Sequence, residues 1–500
     1  MKEKKFKWNG ISSLVLQVVS IVCGMLVPQL LIKEYGSEMY GAMTSATQFL
    51  AYITIMEGGI GAVARASLYK PLVEKDVTII NNVLEEFRKF YIKLTEGFIV
   101  YAIILACAFY YISSSTTLTW KFCFGIVCAM SIATIIEYCF GVKAGVLLQS
   151  DQRLYVTNII SCITKIVNVV IIFLLVYAKS SLIVVELMAS LAYIMKVLFL
   201  NAYVRRNYVI DCNLVDGRRR LNQKKEAFGQ HIAYFVNNKT DIVVLTFFSA
   251  IQEVSVYSIY NYVAGSIMNI ITAATSGMEG LFGEYYARKD MENLNNLFDK
   301  MEFITHTLMI IFFSVTMVLF IPFIRIYTRD ISDANYIRPE LAVLFVAAQI
   351  IYCIRRPYSL LATVAGKFKE TQLAAYMEAT LNIILSCVWV NIFGMNGVVL
   401  ATTISLGLRT IYYIIYIKGH IIYRSIWLCL KRTTISIAAM LLICGVLNRF
   451  LTITPADYIA WIMYALVCAL FAIIVTALVS VVFYAKETKW LIRKLFMRRK

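Results

Sequence analysis

The chain has 500 residues, 60% hydrophobic and only 16% charged, with a formal net charge of +18 and a mean hydropathy of +0.72. Soluble domains carry about a quarter charged residues, so a water-soluble enzyme and a disordered chain are both excluded. The positive excess comes without a basic–aromatic recognition module, which excludes nucleic acid as a partner.

Apolar stretches long enough to cross ~30 Å of hydrocarbon as a helix recur along the chain. They predict about fourteen transmembrane helices, over 11–32, 41–64, 91–113, 119–142, 154–178, 181–203, 229–249, 256–279, 302–328, 339–365, 371–391, 396–417, 433–451 and 458–482. The fold class is therefore all-α and polytopic, since inside lipid each segment must satisfy its own backbone. The alternating ten-residue strands of a membrane barrel are absent. Lys2, Lys4, Lys5 and Lys7 precede the first run as in a signal peptide, yet that run is too long and leads into a second span without a small-residue cleavage site.

With the N-terminus inside, the inside connections hold about 35 of the 48 basic residues and the outside ones about 7, which places both termini in the cytoplasm. Arg205–Lys225 and the tail Lys486–Lys500 are the richest inside segments, whereas Ser113–Leu118, Ala250–Ser255 and Ile392–Asn396 are short and nearly uncharged outer turns. The remaining positive charge attracts anionic headgroups, so membrane lipids are partners. The longest connection divides the chain into an N-terminal lobe of six spans (1–203), a basic linker (204–228), a second lobe of six spans (229–417), and two added helices with a basic tail (418–500). Met56-Glu57-Gly58-Gly59 and Met278-Glu279-Gly280 look like repeated motifs, as do the connections before spans 5 and 11, and Asn168 and Asn382 fall at similar depths. Parallel repeats of this kind place a substrate path at the lobe interface.

Twelve cysteines are scattered without a CxxC pair, and read as small packing residues. His231, His306 and His420 are too far apart for a metal site. No P-loop, GxSxG or HExxH occurs, so neither catalytic residues nor a cofactor is expected, and the protein is not read as an enzyme.

Polar groups at membrane depth face a cavity or each other. On helical wheels His231, Tyr234, Asn238 and Asp241 share one face of span 7, while Asn261, Gly265, Asn269, Thr272, Ser276 and Glu279 share one of span 8. Thr47, Thr54, Gly58, Gly61 and Arg65 form a stripe on span 2, Thr371, Glu378, Asn382 and Ser386 on span 11, and Thr402, Ser405 and Arg409 on span 12. The small and hydroxyl members suit helix packing, and the His–Asn–Asp stripe suits a cavity. Glu57, Arg65 and Glu279, near inner span ends, read as interfacial anchors or as functional groups. Lys165 and Lys196 read as snorkelling or locally paired. Span 10 carries Arg355-Arg356-Pro357; the pair faces a cavity, where guanidinium forks suit a diphosphate, or is interfacial if the span ends near Ile354.

Tyr35-Gly36-Ser37-Glu38, Met56 through Arg65, Tyr69-Lys70-Pro71-Leu72, Arg356-Pro357-Tyr358, Ala365 through Gln372, Glu378, Asn382, Ser386, Phe393-Gly394, Gly397-Val398, Thr402 and Arg409 together resemble bacterial polysaccharide-biosynthesis transporters. The likeness is to Wzx-type O-antigen flippases of the multidrug/oligosaccharidyl-lipid/polysaccharide (MOP) exporter superfamily, and it is strongest over 20–90 and 350–410. It implies two six-helix lobes around a central cavity and movement of an undecaprenyl-diphosphate-linked oligosaccharide across the bacterial inner membrane by alternating access. It also implies coupling to H+ or Na+, a monomer, and contact with polysaccharide polymerase machinery. Arg65, Arg355, Arg356 and Arg409 are then the diphosphate candidates, with Asn238, Asn261 and Asn269 for sugar hydroxyls. Asp241, Glu57, Glu279, His231 and Glu378 are the ion-coupling candidates. The alternatives are a drug or cation exporter of the MATE type, a lipid II-type cell-wall precursor flippase, and a membrane sugar-repeat polymerase. Against the last stands the shortness of the outer segments, the longest being Arg329–Arg338.

Overall fold

The computed structural model describes residues 2–57, 60–113, 117–209, 240–276, 278–450 and 455–496. Every regular element among them is helical: α1 (Lys2–Ala51), α2 (Ile53–Glu57), α3 (Ile60–Glu74), α4 (Val77–Ile112), α5 (Trp120–Ile136), a π-helical turn (Glu137–Gly141), α6 (Val142–Ser150), α7 (Leu154–Tyr177), α8 (Leu182–Asn207), α9 (240–248), α10 (Ile251–Ser276), α11 (Glu279–Ala287), α12 (Met291–Tyr327), α13 (Pro339–Val364), α14 (Phe368–Phe393), α15 (Met395–His420), α16 (Ile426–Phe450), α17 (Tyr458–Phe483) and α18 (Ala485–Phe496). Eleven of the described helices are long and apolar enough to cross a membrane. Their outer faces keep large apolar side chains exposed, such as Val18 at 62% and Leu470 at 62%, a surface that lipid tolerates and water does not. The chain is a multi-pass membrane protein.

Several helices run beyond the predicted spans. α4 begins at Val77 rather than 91, and α12 at Met291 rather than 302. The added turns are amphipathic and well capped. Asp76 accepts from the Ile79 N–H at 3.0 Å, and Asp290 accepts from the Asn293 N–H at 3.1 Å and its side-chain amide at 2.8 Å. Those two bonds hold the Asp290 carboxyl below the usual carboxylate range. The break expected between the first two spans falls at Gly36, whose φ of 87° suits only a residue without Cβ. Beside it, Lys179 pairs with Glu34 at 2.7 Å and the Tyr35 hydroxyl donates to the Ser180 carbonyl at 2.6 Å.

The chain divides into two compact units, Met1–Ser258 and Ile259–Lys500. In the first, α1 packs on α7, and α5 packs on α4 and α8. Asn9 brackets the start of α7, donating to the Gln152 carbonyl and accepting from the Tyr155 N–H, each at 2.9 Å. In the second, α15 packs on α13 and α14, and α12 packs on α13, α16 and α17.

The backbone repeats. Left-handed residues end corresponding turns at Lys75 and Lys289, and at Gln152 and Gly366, in both cases 214 residues apart (289 − 75 and 366 − 152). Lys179 and Gly394 continue the series one residue longer (394 − 179). Asn168 and Asn382 share this register (382 − 168), and each links its helix to the next. Asn168 donates to the Ala189 carbonyl at 2.9 Å and Asn382 to the Thr402 hydroxyl at 2.7 Å. The two Met-Glu-Gly motifs do not share it, being 222 residues apart (279 − 57), although both fall where helices change, at the end of α2 and the start of α11.

Gly41 on α1 lies under the start of α10. A Cβ there would overlap the Ile251 carbonyl oxygen and stand 3.1 Å from Ser255 Oγ, whereas one at Gly145 would meet nothing within 4 Å. Gly41→Ala is expected to destabilise the protein by about 1–3 kcal/mol through overpacking, and Gly145→Ala to leave it unchanged. Thermal midpoints in detergent check this; equal midpoints for the two variants would remove the close α1–α10 approach.

Candidate functional site

In the second unit, three charged side chains from three adjacent helices converge. Glu378 of α14 accepts from Arg355 of α13 at 2.8 Å through one oxygen and from Arg409 of α15 through the other. Their side chains are 0%, 9% and 12% exposed. An aromatic ring attends each arginine, Tyr352 lying 5.0 Å from Arg355 and Tyr413 5.4 Å from Arg409. Two guanidiniums against one carboxylate leave one positive charge in excess. Arg409 Nε is buried and has no hydrogen-bond partner among the described residues. A cavity of about 430 Å³ opens beside the group, lined by Glu378, Arg409, Ser405, Tyr376 and Tyr412 among others.

The stripes expected on spans 11 and 12 meet here. Thr371, Glu378, Asn382 and Ser386 of α14 are all buried, as is Ser405 of α15. Their small members pack helices, as small and hydroxyl residues do in membranes. Arg356 does not join the triad, because adjacent helical residues point about 100° apart. It is partly buried, and its Nε has no hydrogen-bond partner among the described residues. Pro357 lies within α13 without ending it, so the arginine pair sits inside the helix rather than beyond its end.

The first unit holds a different cavity, of about 400 Å³, lined by Thr47, Thr54, Glu57, Glu137, Tyr138 and Tyr193 among others. Glu57 accepts from the Tyr91 hydroxyl at 3.1 Å and from the Tyr138 hydroxyl. Glu137 accepts from Lys196 Nζ at 3.0 and 2.8 Å. Glu137 opens the π-helical turn, a local widening that re-aims side chains and is common at functional sites. Arg65 lies further along, on α3, donating to Gln149 Oε1 at 3.4 Å. This pocket is acidic and aromatic, whereas that of the second unit is lined mostly by apolar side chains, with one acid, Glu378, and one cation, Arg409.

Those of the remaining predicted residues that are described do not join either cavity. Asp241 of α9 is buried and accepts from the Tyr257 hydroxyl at 2.7 Å. Asn261 and Asn269 stay exposed on α10, and Glu279 is exposed at the start of α11. His231 and Asn238, with Tyr234 and Gly58, lie outside the described residues. Among the described residues no cluster of His, Cys, Asp and Glu could hold a metal ion.

Two features escaped the sequence reading. Glu137 is a lone acid in an apolar span, a signal that should have marked it. Its partner Lys196 does not share a register position with Arg409, the two being 213 residues apart (409 − 196) where the turns at Lys179 and Gly394 set 215. The second omission is a network on α12 and α16. Asp299 accepts from Arg424 at 2.7 Å and Arg432 at 3.1 Å. Glu302 accepts from the same two arginines and from the Tyr358 hydroxyl at 2.9 Å.

No protein-family model matches the chain, and no curated protein matches its sequence. Solved structures do share its fold. The lipid II flippase MurJ in an inward closed conformation aligns with a TM-score of 0.68 at 16% identity, covering 95% of this chain and 98% of that one. An inward-facing multidrug resistance MATE family transporter of the MOP superfamily aligns at 0.64 and 14% identity, covering 81% and 97%. The MATE multidrug transporter DinF-BH aligns at 0.60 and 16%, covering 83% and 95%. At such identities the likeness shows the fold alone, that of flippases and exporters of the MOP type. The resemblance read from the residues is upheld at that level.

Removing Glu378 would leave two buried guanidiniums facing each other. Glu378→Gln is expected to cost about 3–5 kcal/mol, as breaking buried ion pairs does, while Thr410→Ala, which removes the neutral hydrogen bond to the Leu406 carbonyl, costs about 1 kcal/mol. Thermal unfolding in detergent ranks the two; a milder effect for Glu378→Gln would mean that the arginines have other anionic partners.

Proposed function

We propose that the chain is a flippase that carries an undecaprenyl-diphosphate-linked oligosaccharide, an O-antigen, capsule or exopolysaccharide repeat unit, from the cytoplasmic to the outer leaflet of the bacterial inner membrane by alternating access. The observation that carries this reading is the surplus positive charge of Arg355–Glu378–Arg409 beside an open cavity. A diphosphate needs forked, permanently charged donors and gains most where water is scarce. Glu378 orders Arg355 and Arg409 without cancelling them. Arg356 in the second unit and Arg65 in the first are further anion-binding candidates. The exposed amides of Asn261 and Asn269, with Asn238, bond sugar hydroxyls. The shared fold with a lipid II flippase supports a lipid-linked cargo, and a lipid II-type precursor is the nearest alternative.

For coupling to H+ or Na+ the best-placed acid is Glu57, held by two tyrosine hydroxyls. Asp241, Glu279 and His231 are further candidates, and Glu378 serves to hold the arginines. The prenyl tail stays among membrane lipids, the protein works as a monomer, and polysaccharide polymerase machinery receives the product.

A second reading rests on the cavity of the first unit. Its carboxylates and tyrosines suit an organic cation, as in a drug exporter. Proteoliposomes separate the two. Wild type is expected to translocate fluorescent undecaprenyl-diphosphate oligosaccharide, and Arg356→Ala to slow the initial rate about tenfold, the equivalent of one charge-assisted hydrogen bond, with an unchanged thermal midpoint. Glu57→Gln should abolish the response to an imposed pH or sodium gradient. Wild-type rates in Arg356→Ala would remove the diphosphate assignment. Export of organic cations by wild type, without movement of any oligosaccharide lipid and sensitive to Glu57→Gln, would decide for the exporter.

A further inference from the structure

Helix α18 follows the last span after a single non-helical residue. α17 is 26 residues long and holds the most apolar stretch among the candidate spans, and an apolar helix of that length ends at the membrane boundary. Tyr484 (φ −132°, ψ 42°) breaks it. The Thr488 hydroxyl fixes the turn by donating to the carbonyls of Tyr484 at 2.8 Å and Ser480 at 3.0 Å. α18 therefore starts at the interface. At 100° per residue its sequence separates into two arcs of about 140° each. One holds the positions of Ala485, Thr488, Leu491, Ile492, Leu495 and Phe496, the other those of Lys486, Lys489, Trp490, Arg493 and Lys494.

The helix carries one acid, Glu487, which accepts from Arg432 at 2.7 Å. The charge left over is wholly positive, and Lys486 and Lys489 are exposed. Lys300 of α12 sits 5.0 Å from the Trp490 ring. Through Arg432 the helix reaches the Asp299–Glu302–Arg424 network and, at Tyr358, α13. It is thus tied to the body of the second unit.

We propose that α18 lies in the membrane interface and binds anionic phospholipid headgroups through its basic arc. An amphipathic helix with a basic polar face lies in the interface plane, and each lysine or arginine near an anionic surface adds attraction that fades within a Debye length. The inference is independent of the transported cargo.

Trp490 reports on it. The full chain, and Trp490→Phe as the blank, are reconstituted in nanodiscs of mixed phosphatidylglycerol and phosphatidylcholine, with bromine on the acyl chains of one lipid or the other. The difference in fluorescence isolates Trp490. Brominated phosphatidylglycerol is expected to quench it about twofold more than brominated phosphatidylcholine at equal mole fraction. Substituting Lys486, Lys489, Arg493 and Lys494 by Gln should erase the preference. Should that variant not fold, ~1 M salt on wild type, where the Debye length is ~3 Å, makes the same test. Equal quenching by the two lipids would overturn the proposal. So would no quenching by either, which would put the helix off the membrane and its basic arc against an acidic protein.

Discussion

A group that cannot reach water must be satisfied by the chain itself, and most of this structure follows from that. Backbone amides solve the problem locally, so the described elements are helices throughout. Charged side chains cannot solve it alone. Glu378 is held between Arg355 and Arg409, Glu302 between Arg424 and Arg432, Glu137 by Lys196, and Glu57 by two tyrosine hydroxyls. Each carboxylate borrows its partners from other helices, so each is also a clamp. The acids fix which helices are neighbours as firmly as the apolar surfaces do, because lipid rewards apolar contact between helices little.

The two units use a common backbone plan and different chemistry. The repeat places an asparagine bridge between the same two helices in each, Asn168 to Ala189 and Asn382 to Thr402. What differs is the counter-charge. In the first unit the acid stands on the π-helical turn and meets one lysine. In the second the acid stands on α14 and meets two arginines. One duplicated scaffold thus carries an acidic, aromatic pocket in one copy and, in the other, a mostly apolar pocket beside a triad with one positive charge in excess.

The spans were legible because hydrocarbon thickness imposes a length and a composition that survive any detail of packing. Their ends were less so. α4 and α12 continue past the apolar stretch because a capped amphipathic turn needs no lipid. In the candidate site the residue types were legible and the pairings were not. Arg355 and Arg356 look alike in sequence, but 100° of helix separates a guanidinium locked to Glu378 from one with a donor unused. Glu302 escaped notice since its partners, Arg424 and Arg432, stand more than a hundred residues away and near span ends, where basic residues are expected anyway. The matched Met-Glu-Gly motifs misled in the other direction. They recur in order but eight residues out of the register that the turns obey.

That register also says which asymmetries carry meaning. A feature present in both units, such as the asparagine bridge, belongs to the scaffold and would be found whatever the cargo. A feature present in one only has been added to it. By this criterion the second arginine of the triad, the uncommitted Arg356 and the π-helical turn bearing Glu137 are the specialised parts. The two-helix extension α16–α17 with α18 is another, bound to the second unit through the Glu302 network rather than through the repeat. Glu302 takes hydrogen bonds from α13, α16 and the loop before α16 at once. A shift of the extension would therefore strain the helix that bears Arg355 and Arg356. The helix that meets the Glu302 network through the Tyr358 hydroxyl, α13, is thus also the one that carries Arg355 and Arg356.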